Sequence, residues 1–369
     1  TSDNNIKIGG EIKDFDFEDY FGRKEMKRMD RFVQYAMVAT DEAIKDAGLD
    51  LENEDTTKIG VYYGSGIGGL QTIADQQDRA KSKGYGRISP FFIPSAIINL
   101  AAGNIAIKHG IKGIATASVT ACASATNSIG EAFRAIRDGY LDKAITGGSE
   151  ASLIPLGLGG FNVMQALNRS NDPSYASIPF DVNRSGFVMG EGAGTLILET
   201  LDSAKARGAH IYGEIAGYGA TCDAVHITSP DPEGLGAARC MLDAVHDAGL
   251  KSADVDYINA HGTSTPLNDL TETKAIKVAF DNHAYDLNVS STKSMTGHLL
   301  GASGAVEAIF TVLATKEDFI PPTINTKELD PACDLNYTLK SGIKKEVNVA
   351  ISNSLGFGGH NATILFKKL

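Results

Sequence analysis

The amino-acid sequence predicts an α/β fold with mainly parallel sheets. Segments of small or β-branched residues, typical of buried strands, alternate with segments of helical periodicity along the whole chain. The 40 glycines gather where predicted strands end, which indicates close backbone approaches around a site. With 369 residues, 43% of them hydrophobic, the chain can bury a large core, either as two domains or as one duplicated unit.

In the first half, the pattern predicts elements in a clear order. They are a helix at 32–47, a strand at 59–63 that runs into a glycine turn at 64–69, an apolar helix within 89–110, and strands at 143–148 and 195–198. The glycine turn lacks the spacing of phosphate-binding loops. We therefore interpret it as a tight turn that lines a pocket.

A basic segment precedes the first long helix. Lys24, Lys27 and Arg28 are spaced so that they would share one face of a helix. A solvated helix face is the ordinary interpretation of such a stripe. On a chain with a formal net charge of −11, the stripe also fits a docking surface for an acidic partner.

Cys122 lies where the hydrophobic period changes. Residues 114–121 predict a buried strand, whereas Ile129, Phe133 and Ile136 recur at helical spacing. A thiol at a strand-to-helix turn faces backbone N–H groups and the positive end of the helix dipole, which predicts a lowered thiol pKa and a nucleophile. A small buried core cysteine is the alternative interpretation of this stretch.

Two histidines in the second half occupy similar positions. His261 and His298 each stand in a glycine-containing turn after a predicted strand, and a glycine loop at 356–359 joins a further pair of strands. Ligands of open α/β sheets bind outside the carboxyl ends of the strands. Cys122, both histidines and the loop are therefore candidates for one cleft.

The chemistry that such a cleft permits is acyl transfer. A thiolate attacks an acyl carbonyl and holds the acyl group as a thioester, while backbone N–H groups stabilise the oxyanion and imidazoles polarise a second carbonyl. A metal site is the weaker interpretation, since no HxxxH or CxxC spacing accompanies the candidates. We interpret the following histidines as structural: His109, His210, His226, His246 and His283.

Composition argues against several classes of protein. The net charge of −11 and a pI near 5.2 argue against a nucleic-acid partner. No stretch approaches the roughly 18 apolar residues of a membrane helix, and no basic region followed by an apolar run begins the chain, so we expect neither a membrane span nor a leader. The four cysteines lack paired spacing, which favours a reducing cytoplasm over disulfides or zinc.

Four ordered motifs give a resemblance that covers essentially the whole chain. They are TACASATNSIG around Cys122, NAHGTSTPLND around His261, SSTKSMTGHLLGASGAVE at 290–307 and NSLGFGGHNA at 353–362. Together they resemble the β-ketoacyl-[acyl carrier protein] synthases, most closely the synthase II type of bacterial fatty acid elongation. The resemblance implies a thiolase-like fold, with two similar α/β halves in five layers (α-β-α-β-α), and a homodimer.

The same resemblance implies how the chain divides. It gives an N-terminal half at residues 1–208, which carries the nucleophile, and a C-terminal half at 209–369, which carries the histidine pair and the glycine loop. Relatives begin with one further strand before the region that starts here at Thr1. We therefore expect that the printed sequence omits an N-terminal segment.

The resemblance also implies roles for the residues of the cleft. Cys122 corresponds to the acylated nucleophile, and its N–H and that of Phe357 to the oxyanion hole. His261 and His298 match the pair that contacts the malonyl thioester carbonyl, where decarboxylation generates an enolate. Phe357 corresponds to a gate between the two substrate-loading states, in a loop able to move.

Further roles are implied around this centre. Lys293 and Glu307 match a paired lysine and carboxylate, and burying both beside a cleft is costly unless they organise something. The resemblance implies that Thr263 and Thr265 hold the pantetheine arm and that Ile67 and Phe161 line the acyl pocket. It also implies that the acidic carrier protein docks on Lys24, Lys27 and Arg28.

These residues imply a decarboxylative Claisen condensation in ping-pong order, in which acyl-carrier protein loads Cys122 and malonyl-carrier protein supplies two carbons. The carrier protein brings the phosphopantetheine, so we expect no organic cofactor and no catalytic metal. A polyketide-type condensing enzyme shares every motif and stays open as an alternative. A thiolase is disfavoured because no second cysteine stands in a glycine-rich turn like those of the histidines. A non-catalytic chain-length-factor-like partner is disfavoured because Cys122, His261 and His298 are all present.

Overall fold

A computed structural model describes residues 5–369, so the expectation about a segment before Thr1 lies outside the described part of the chain. The helices are α1 (Phe17–Phe21), α2 (Arg23–Met26), α3 (Arg31–Ala47), α4 (Leu70–Lys83), α5 (Phe92–Ala96), α6 (Leu100–His109), α7 (Ser124–Arg137), α8 (Pro155–Val163), α9 (Leu201–Ala206), α10 (Leu235–Asp247), α11 (Pro266–Phe280), α12 (Lys293–Thr296) and α13 (Ser303–Glu317). The strands are β1 (Ile59–Gly64), β2 (Ala115–Thr116), β3 (Lys143–Glu150), β4 (Gly192–Glu199), β5 (Glu214–Cys222), β6 (Tyr257–Asn259), β7 (Asn288–Ser290), β8 (Phe319–Ile320), β9 (Ile343–Lys344), β10 (Val349–Gly356) and β11 (His360–Lys367).

Two sheets form the centre of the molecule. The first has the order β2-β1-β3-β4 and the second the order β5-β11-β10-β6-β7, while β8 and β9 form a small separate ribbon. In the first sheet β2, β1 and β3 are parallel and β4 is antiparallel to β3. In the second sheet β10, β6 and β7 are parallel, and β11 and β5 are antiparallel to their neighbours.

Helices cover both faces of each sheet. Helices α3 and α6 pack on the outer face of the first sheet, α10 lies on the outer face of the second with α11 beside it, and α7 and α13 lie between the two sheets. The apolar stripe of α7 explains its central place, since Ile129 is fully buried against both sheets. The expected five layers of two similar α/β halves are therefore confirmed. The boundary near residue 208 falls between β4 and β5 and stays a prediction.

Among the described residues, four of the seven strand pairs in the two central sheets are parallel, and the antiparallel pairs are β3 with β4, β10 with β11 and β11 with β5. One expectation about the strands is wrong. The predicted buried strand at 114–121 is reduced to the two residues of β2, at an edge of the sheet, where Ile114 is half exposed. The chain then leaves the sheet to build the turn before α7.

Two predicted helices are interrupted. The apolar segment at 89–110 forms two helices, α5 and α6, instead of one. Helix α2 ends at Met26, so Lys27 caps it and Arg28 lies beyond it, and the three basic residues do not share the face of one regular helix. Within residues 5–369, no helix is both long and apolar enough to cross a lipid bilayer.

The two sheets repeat one arrangement. The strands β4, β3, β1 and β2 match β11, β10, β6 and β7 in order and direction. The fifth strand of the second sheet, β5, has no counterpart beside β4 among the described residues. Along this edge of β4 runs a groove of about 850 Å³ that is also lined by α3, α7, α9 and α13. The duplication places the turn before α7 and the ends of β6, β7 and β10 on one side of the molecule.

Candidate active site

Cys122 lies in a tight turn between β2 and α7. The residues Ala121–Ala123 form one 3-10 turn, and Ala121 has a φ of 50°, in the left-handed region that a Cβ disfavours. Ser124 braces this turn, since its Oγ accepts the N–H of Thr120 at 2.9 Å and donates to the carbonyl of Ala121 at 2.7 Å. The turn therefore presents the sulfur at the N-terminal end of α7.

Both candidate histidines lie beside this sulfur. The Nε2 atom of His298 is 3.1 Å from Sγ of Cys122. The rings of His261 and His298 are nearly perpendicular, at 87°, with centroids 5.2 Å apart. One nitrogen from each ring and the sulfur all lie within 4.8 Å of one another. The structure thus brings together three groups that are more than 30 residues apart in sequence.

Neighbouring polar groups orient the two imidazoles. The Nδ1 atom of His298 lies 2.9 Å from the Oγ of Ser303. The carboxylate of Glu272 accepts the backbone N–H of His261 at 2.7 Å and that of Gly262 at 2.8 Å, which fixes the chain that carries the second ring. The Nδ1 atom of His261 is buried and has no hydrogen-bond partner among the described residues.

Lys293 and Glu307 form a buried ion pair next to the histidines, and each side chain is almost inaccessible to solvent. Burial and then the Lys293 charge hold the pKa values of His261 and His298 well below the usual range, and His298 adds to the effect on His261. Burial raises the pKa of Glu307 to about 7, against the opposing effect of Lys293. Both imidazoles are therefore neutral at pH 7.

The expected lowering of the thiol pKa is wrong. The pKa of the Cys122 thiol is raised to about 12, chiefly by burial and also by the charges of Glu150 and Glu307, while Lys293 and the backbone N–H of Phe357 offset only part of that rise. The thiol is the resting form at neutral pH. A nucleophilic sulfur at this site therefore needs a base to accept its proton, and the adjacent Nε2 of His298 is placed to do so.

Phe357 lies in the loop between β10 and β11, directly over the Cys122 turn. Its backbone N–H donates to the sulfur. The neighbouring Gly356 packs against the turn so closely that a Cβ there would lie 2.8 Å from the carbonyl oxygen of Thr120. Gly358 has a φ of 88°, which side chains rarely allow. The loop therefore needs its glycines both to reach the sulfur and to turn back into β11.

The predicted acyl-pocket residues share one apolar cluster. Ile67 and Phe161 pack with Phe187 and other buried side chains. Phe161 contacts Phe187 edge-on at 5.5 Å between ring centroids, and Phe187 contacts the ring of His298 in the same way at 5.1 Å. The ring of Phe357 lies 6.4 Å from that of Phe161. Aromatic rings thus connect the glycine loop to the base beside the sulfur.

The other candidates lie further out. Thr263 and Thr265 follow His261, and their hydroxyl oxygens are 3.0 Å apart. Lys24 and Lys27 are exposed on the surface near α2. Arg28 is also exposed, and its guanidinium lies 4.9 Å from the ring centroid of Phe91. None of the three basic side chains has an ion-pair partner within the described residues, so their charges are free to meet a partner.

Three residues of the site were not predicted as functional from the sequence: Ser303, Glu272 and Glu150. Ser303 and Glu272 reach the histidines from helices α13 and α11, and only the tertiary structure reveals this. The sequence does contain a pattern that points to Glu150, because this residue ends the glycine-rich strand segment GGSE. The sulfur and imidazoles could also ligate a metal, but the positive charge of Lys293 beside them opposes a divalent cation.

Comparison with known proteins agrees with this geometry. The family model "Beta-ketoacyl synthase, N-terminal domain" matches residues 1–204, and "Beta-ketoacyl synthase, C-terminal domain" matches residues 212–327. The chain is 55% identical to 3-oxoacyl-[acyl-carrier-protein] synthase 2 of Synechocystis sp., over 100% of this chain and 89% of the relative. It is 51% identical to the synthase 2 of Staphylococcus aureus strain N315, again over 100% and 89%.

Solved structures show the same architecture. A β-ketoacyl synthase from Burkholderia phymatum superposes with a TM-score of 0.91 at 33% identity, over 99% of this chain and 89% of that chain. A ketosynthase of a type II polyketide synthase, solved in complex with its acyl-carrier protein, gives a TM-score of 0.89 at 33% identity, over 99% and 93%. With both domain models matched and half of its residues identical to full-length relatives, the chain belongs to the β-ketoacyl synthase family.

Proposed function

We propose that the protein is a condensing acyltransferase that elongates acyl chains on acyl carrier protein, as a 3-oxoacyl-[acyl-carrier-protein] synthase of the second type in fatty acid biosynthesis. The observation that carries this function is the contact of the Cys122 thiol with the neutral, buried imidazole of His298, beside His261. The relatives named above, 51–55% identical over the whole chain, support the same activity.

In the loading step, the acyl group moves from the carrier thiol to Cys122. The Nε2 of His298 accepts the thiol proton as the sulfur attacks the acyl carbonyl, and a new C–S bond forms. The old C–S bond breaks, and the carrier thiol leaves with the proton that His298 returns. The N–H groups of Cys122 and Phe357 form the oxyanion hole, and Phe357 already donates to the sulfur in the resting site.

In the condensation step, the malonyl thioester loses carbon dioxide. The C–C bond to the carboxylate breaks, and the electron pair remains as an enolate whose oxygen is stabilised by His261 and His298. The enolate carbon attacks the acyl thioester, a C–C bond forms, the C–S bond to Cys122 breaks, and the leaving sulfur takes up one proton from solvent water. Because a hydroxyl can donate or accept, Ser303 serves either tautomer of His298, so one ring can act as base first and as donor later.

Lys293 and Glu307 influence this chemistry through their charges. Burial and then the ammonium of Lys293 lower the pKa values of the histidines and so keep the imidazoles neutral. The carboxylate of Glu307 compensates a buried positive charge that would otherwise be costly. Apolar side chains at Ile67 and Phe161 offer the acyl chain a place beside the base. The protein needs no organic cofactor of its own, because the carrier protein brings the phosphopantetheine. The steps above also use no catalytic metal.

The carrier protein docks on the exposed cations Lys24, Lys27 and Arg28. These unpaired positive charges stand out on a chain of net charge −11 and complement an acidic carrier. The hydroxyls of Thr263 and Thr265 then hold the pantetheine arm close to His261. A ketosynthase of similar structure has been solved with its acyl-carrier protein, which supports the same kind of partner here.

The protein is a homodimer in the cytoplasm. Strand β2 is an edge of the first sheet, with exposed Ile114 and Val119 on either side of it, and no other described strand covers that edge. Pairing of two such edges would bury these apolar residues and satisfy the free backbone groups. The four cysteines are all free thiols, which fits a reducing compartment.

A polyketide-type condensing enzyme is the second candidate, because a solved ketosynthase of a type II polyketide synthase superposes with a TM-score of 0.89. Its identity of 33% is well below the 55% and 51% of the two 3-oxoacyl-[acyl-carrier-protein] synthases. The assay that separates the two uses acyl- and malonyl-carrier protein and counts the extensions per chain. One two-carbon extension per turnover supports the proposed function, whereas repeated extension of an unreduced chain supports the polyketide type.

Intact-protein mass spectrometry tests the proposed function directly. Mixing with acyl-carrier protein should add one acyl group to the wild type and none to Cys122→Ala. Malonyl-carrier protein should then remove that mass and release a 3-oxoacyl chain two carbons longer. No acylation of a folded wild-type sample would contradict the proposal.

A further inference from the structure

Glu150 is a buried carboxylate at the end of β3 that the mechanism above does not use. Its side chain is 0% exposed. The Oε2 atom accepts the N–H of Gly66 at 2.8 Å and that of Gly301 at 3.0 Å, and Oε1 accepts the N–H of Ile67 at 3.2 Å. One carboxylate thus joins two separate backbone segments.

The hydrogen bonds favour the ionised form of Glu150. Burial raises the pKa of the carboxyl above its ordinary value, and the three backbone N–H groups, which can only donate, offset part of that rise. The hydroxyls of Ser65 and Ser152 add two donors to Oε1, at 3.2 and 3.3 Å. Five donors and no competing acceptor surround the carboxylate among the described residues, so its hydrogen-bond partners suit the ionised form.

Glycine at two positions permits this junction. A Cβ on Gly66 would lie 2.9 Å from Oε2 of Glu150. A Cβ on Gly301 would lie 2.8 Å from the same oxygen and 2.1 Å from the backbone nitrogen of Gly66. Any side chain at either position would separate the two segments or displace the carboxylate. The close approach is therefore built into the sequence.

The two segments carry different parts of the site. Ile67 belongs to the apolar cluster that lines the proposed acyl pocket. Gly301 lies between His298, whose Nε2 contacts the sulfur, and Ser303, whose hydroxyl contacts the Nδ1 of the same ring. The carboxylate of Glu150 consequently holds the pocket wall and the base in one rigid arrangement.

Glu150 also acts on Cys122 through its charge, since it is among the groups that raise the thiol pKa. The charge of Glu307 also raises the thiol pKa, whereas the charge of Lys293 lowers it. The charged or titratable groups that act on or contact the thiol are Lys293, Glu150, Glu307, His298 and, beside His298, His261. Removal of the Glu150 charge should therefore lower the thiol pKa.

We propose that Glu150 is a positioning residue that couples the wall of the acyl pocket at Ile67 to the segment that carries His298, and thereby sets which acyl chains load Cys122 efficiently. The inference rests on the proposed function, because it concerns selection of the acyl group at the same site. Glu150 then has two properties that mutation can separate. Its geometric property is the hydrogen-bonded link between the two segments, which depends on the length of the side chain. Its electrostatic property is its effect on the Cys122 thiol pKa, which depends on its charge.

The electrostatic property is tested without any substrate. We compare the rate of iodoacetamide labelling of Cys122, read from the Cys122 peptide by mass spectrometry, in wild type, Glu150→Gln and Glu150→Asp. At a fixed pH below the thiol pKa, Glu150→Gln should label faster, by about tenfold for each unit by which the thiol pKa falls. Glu150→Asp keeps the charge and should label within about twofold of wild type.

Asp181→Asn is the matched control. Asp181 is also fully buried, and its carboxylate likewise accepts three backbone N–H groups, from Asn183, Lys327 and Glu328. It is not among the groups that act on the Cys122 thiol. The control should therefore leave the labelling rate unchanged. Faster labelling of Glu150→Asp as well would show that loosened packing, not charge, exposes the thiol, and would overturn the electrostatic property.

The geometric property is tested with a series of acyl-carrier proteins of increasing chain length. The ratio of kcat/KM for long and short chains should change at least about fivefold in both Glu150 variants and stay at the wild-type value in Asp181→Asn. An unchanged ratio in a folded Glu150→Asp overturns the coupling, even if Glu150→Gln fails to fold. A wild type that labels at Cys122 but accepts no acyl chain would instead contradict the proposed function, so the two failures are distinguishable.

Discussion

The Nε2 atom of His298 lies 3.1 Å from Sγ of Cys122, and the thiol, with a pKa raised by burial to about 12, is protonated in the resting site. Reactivity towards acyl substrates therefore depends on proton transfer to His298, whereas reaction with a simple alkylating reagent depends on the small thiolate fraction. The two reactivities of one sulfur should respond differently to pH and to mutation.

We expect iodoacetamide labelling of Cys122 to rise about tenfold per pH unit between pH 7 and 10, because the thiolate fraction rises in that way below the pKa. The change His298→Ala should slow acyl transfer by about 10²–10⁴-fold, the usual contribution of a general base. Stopped-flow acylation and peptide-level labelling measure the two rates. Equal rates of acylation in His298→Ala and wild type would rule out His298 as the base.

The acid side of the pH profile is set by the histidines. Their pKa values lie well below the usual range, so activity should persist below pH 6.5 and fall only when the imidazoles become protonated at more acidic pH. Lys293→Met removes the positive charge that helps to lower both values. The histidine pKa values should then rise, and the acid limb of kcat/KM should move to higher pH.

Lys143→Met provides the control for that shift. Lys143 is also a buried lysine, paired with Glu54 at 2.8 Å, but it is not among the groups that act on either histidine. Its replacement should leave the acid limb in place. A shift of equal size in both variants would mean that general loosening of the protein, rather than the Lys293 charge, moves the histidine pKa values.

The sequence predicted the chemistry of the site better than its surroundings. Cys122 stands where a strand pattern changes to a helical one, and His261 and His298 each stand in a glycine-containing turn after a strand, so local patterns indicate all three. Glu150, Glu272 and Ser303 act through hydrogen bonds to distant backbone or side-chain atoms, and apart from the glycines before Glu150 no local pattern distinguishes them from ordinary polar residues.

The errors have a physical basis of the same kind. Residues 114–121 have strand composition, but β2 lies at an edge with one neighbour, and the chain must leave the sheet to reach the strained turn at Ala121. The predicted thiol pKa takes account of the backbone N–H groups and the helix dipole but not of burial. In the folded protein, desolvation of the sulfur outweighs every favourable interaction, and burial is a tertiary property.

Phe357 combines two functions that mutation can separate. Its backbone N–H donates to the sulfur and survives any side-chain change, while its ring faces Phe161 in the apolar cluster. Phe357→Ala should therefore keep acylation of Cys122 within about tenfold of wild type. If the ring gates the second substrate, carbon dioxide release should exceed formation of 3-oxoacyl product in this variant. The ratio of carbon dioxide to product in Phe357→Leu should lie between those of wild type and Phe357→Ala. Release and product in a one-to-one ratio in Phe357→Ala would contradict the gate.

The proposed docking surface predicts a dependence on the carrier protein. Reversal of charge at Lys24, Lys27 and Arg28 should raise KM for acyl-carrier protein at least about tenfold, with kcat little changed, because these side chains lie on the surface and outside the catalytic cluster. The same variant should use a small acyl-pantetheine thioester as well as wild type does. The effect should shrink at high salt, since exposed charges are screened.

A control triple variant carries the same change of charge elsewhere. Lys205, Lys251 and Lys344 are exposed lysines away from α2, and their reversal to glutamate alters the net charge by the same amount. Steady-state kinetics with this control should match wild type. If both triple variants raise KM equally, long-range charge rather than a defined surface governs the encounter, and the docking assignment fails.

The Cys122, His261 and His298 cluster makes a further prediction about metal ions. A thiolate and two imidazoles are ligands that zinc prefers, and their atoms lie within 4.8 Å of one another. In the proposed mechanism each of these groups needs its lone pair or proton for acyl transfer. Prior treatment with a chelator should therefore leave activity unchanged. Because the positive charge of Lys293 opposes a divalent cation, added zinc should inhibit acylation of Cys122 only weakly, and a chelator should reverse that inhibition. Isothermal titration of wild type against Cys122→Ala measures whether zinc binds through the sulfur. Loss of activity on chelation, restored by one equivalent of zinc, would overturn the metal-free mechanism.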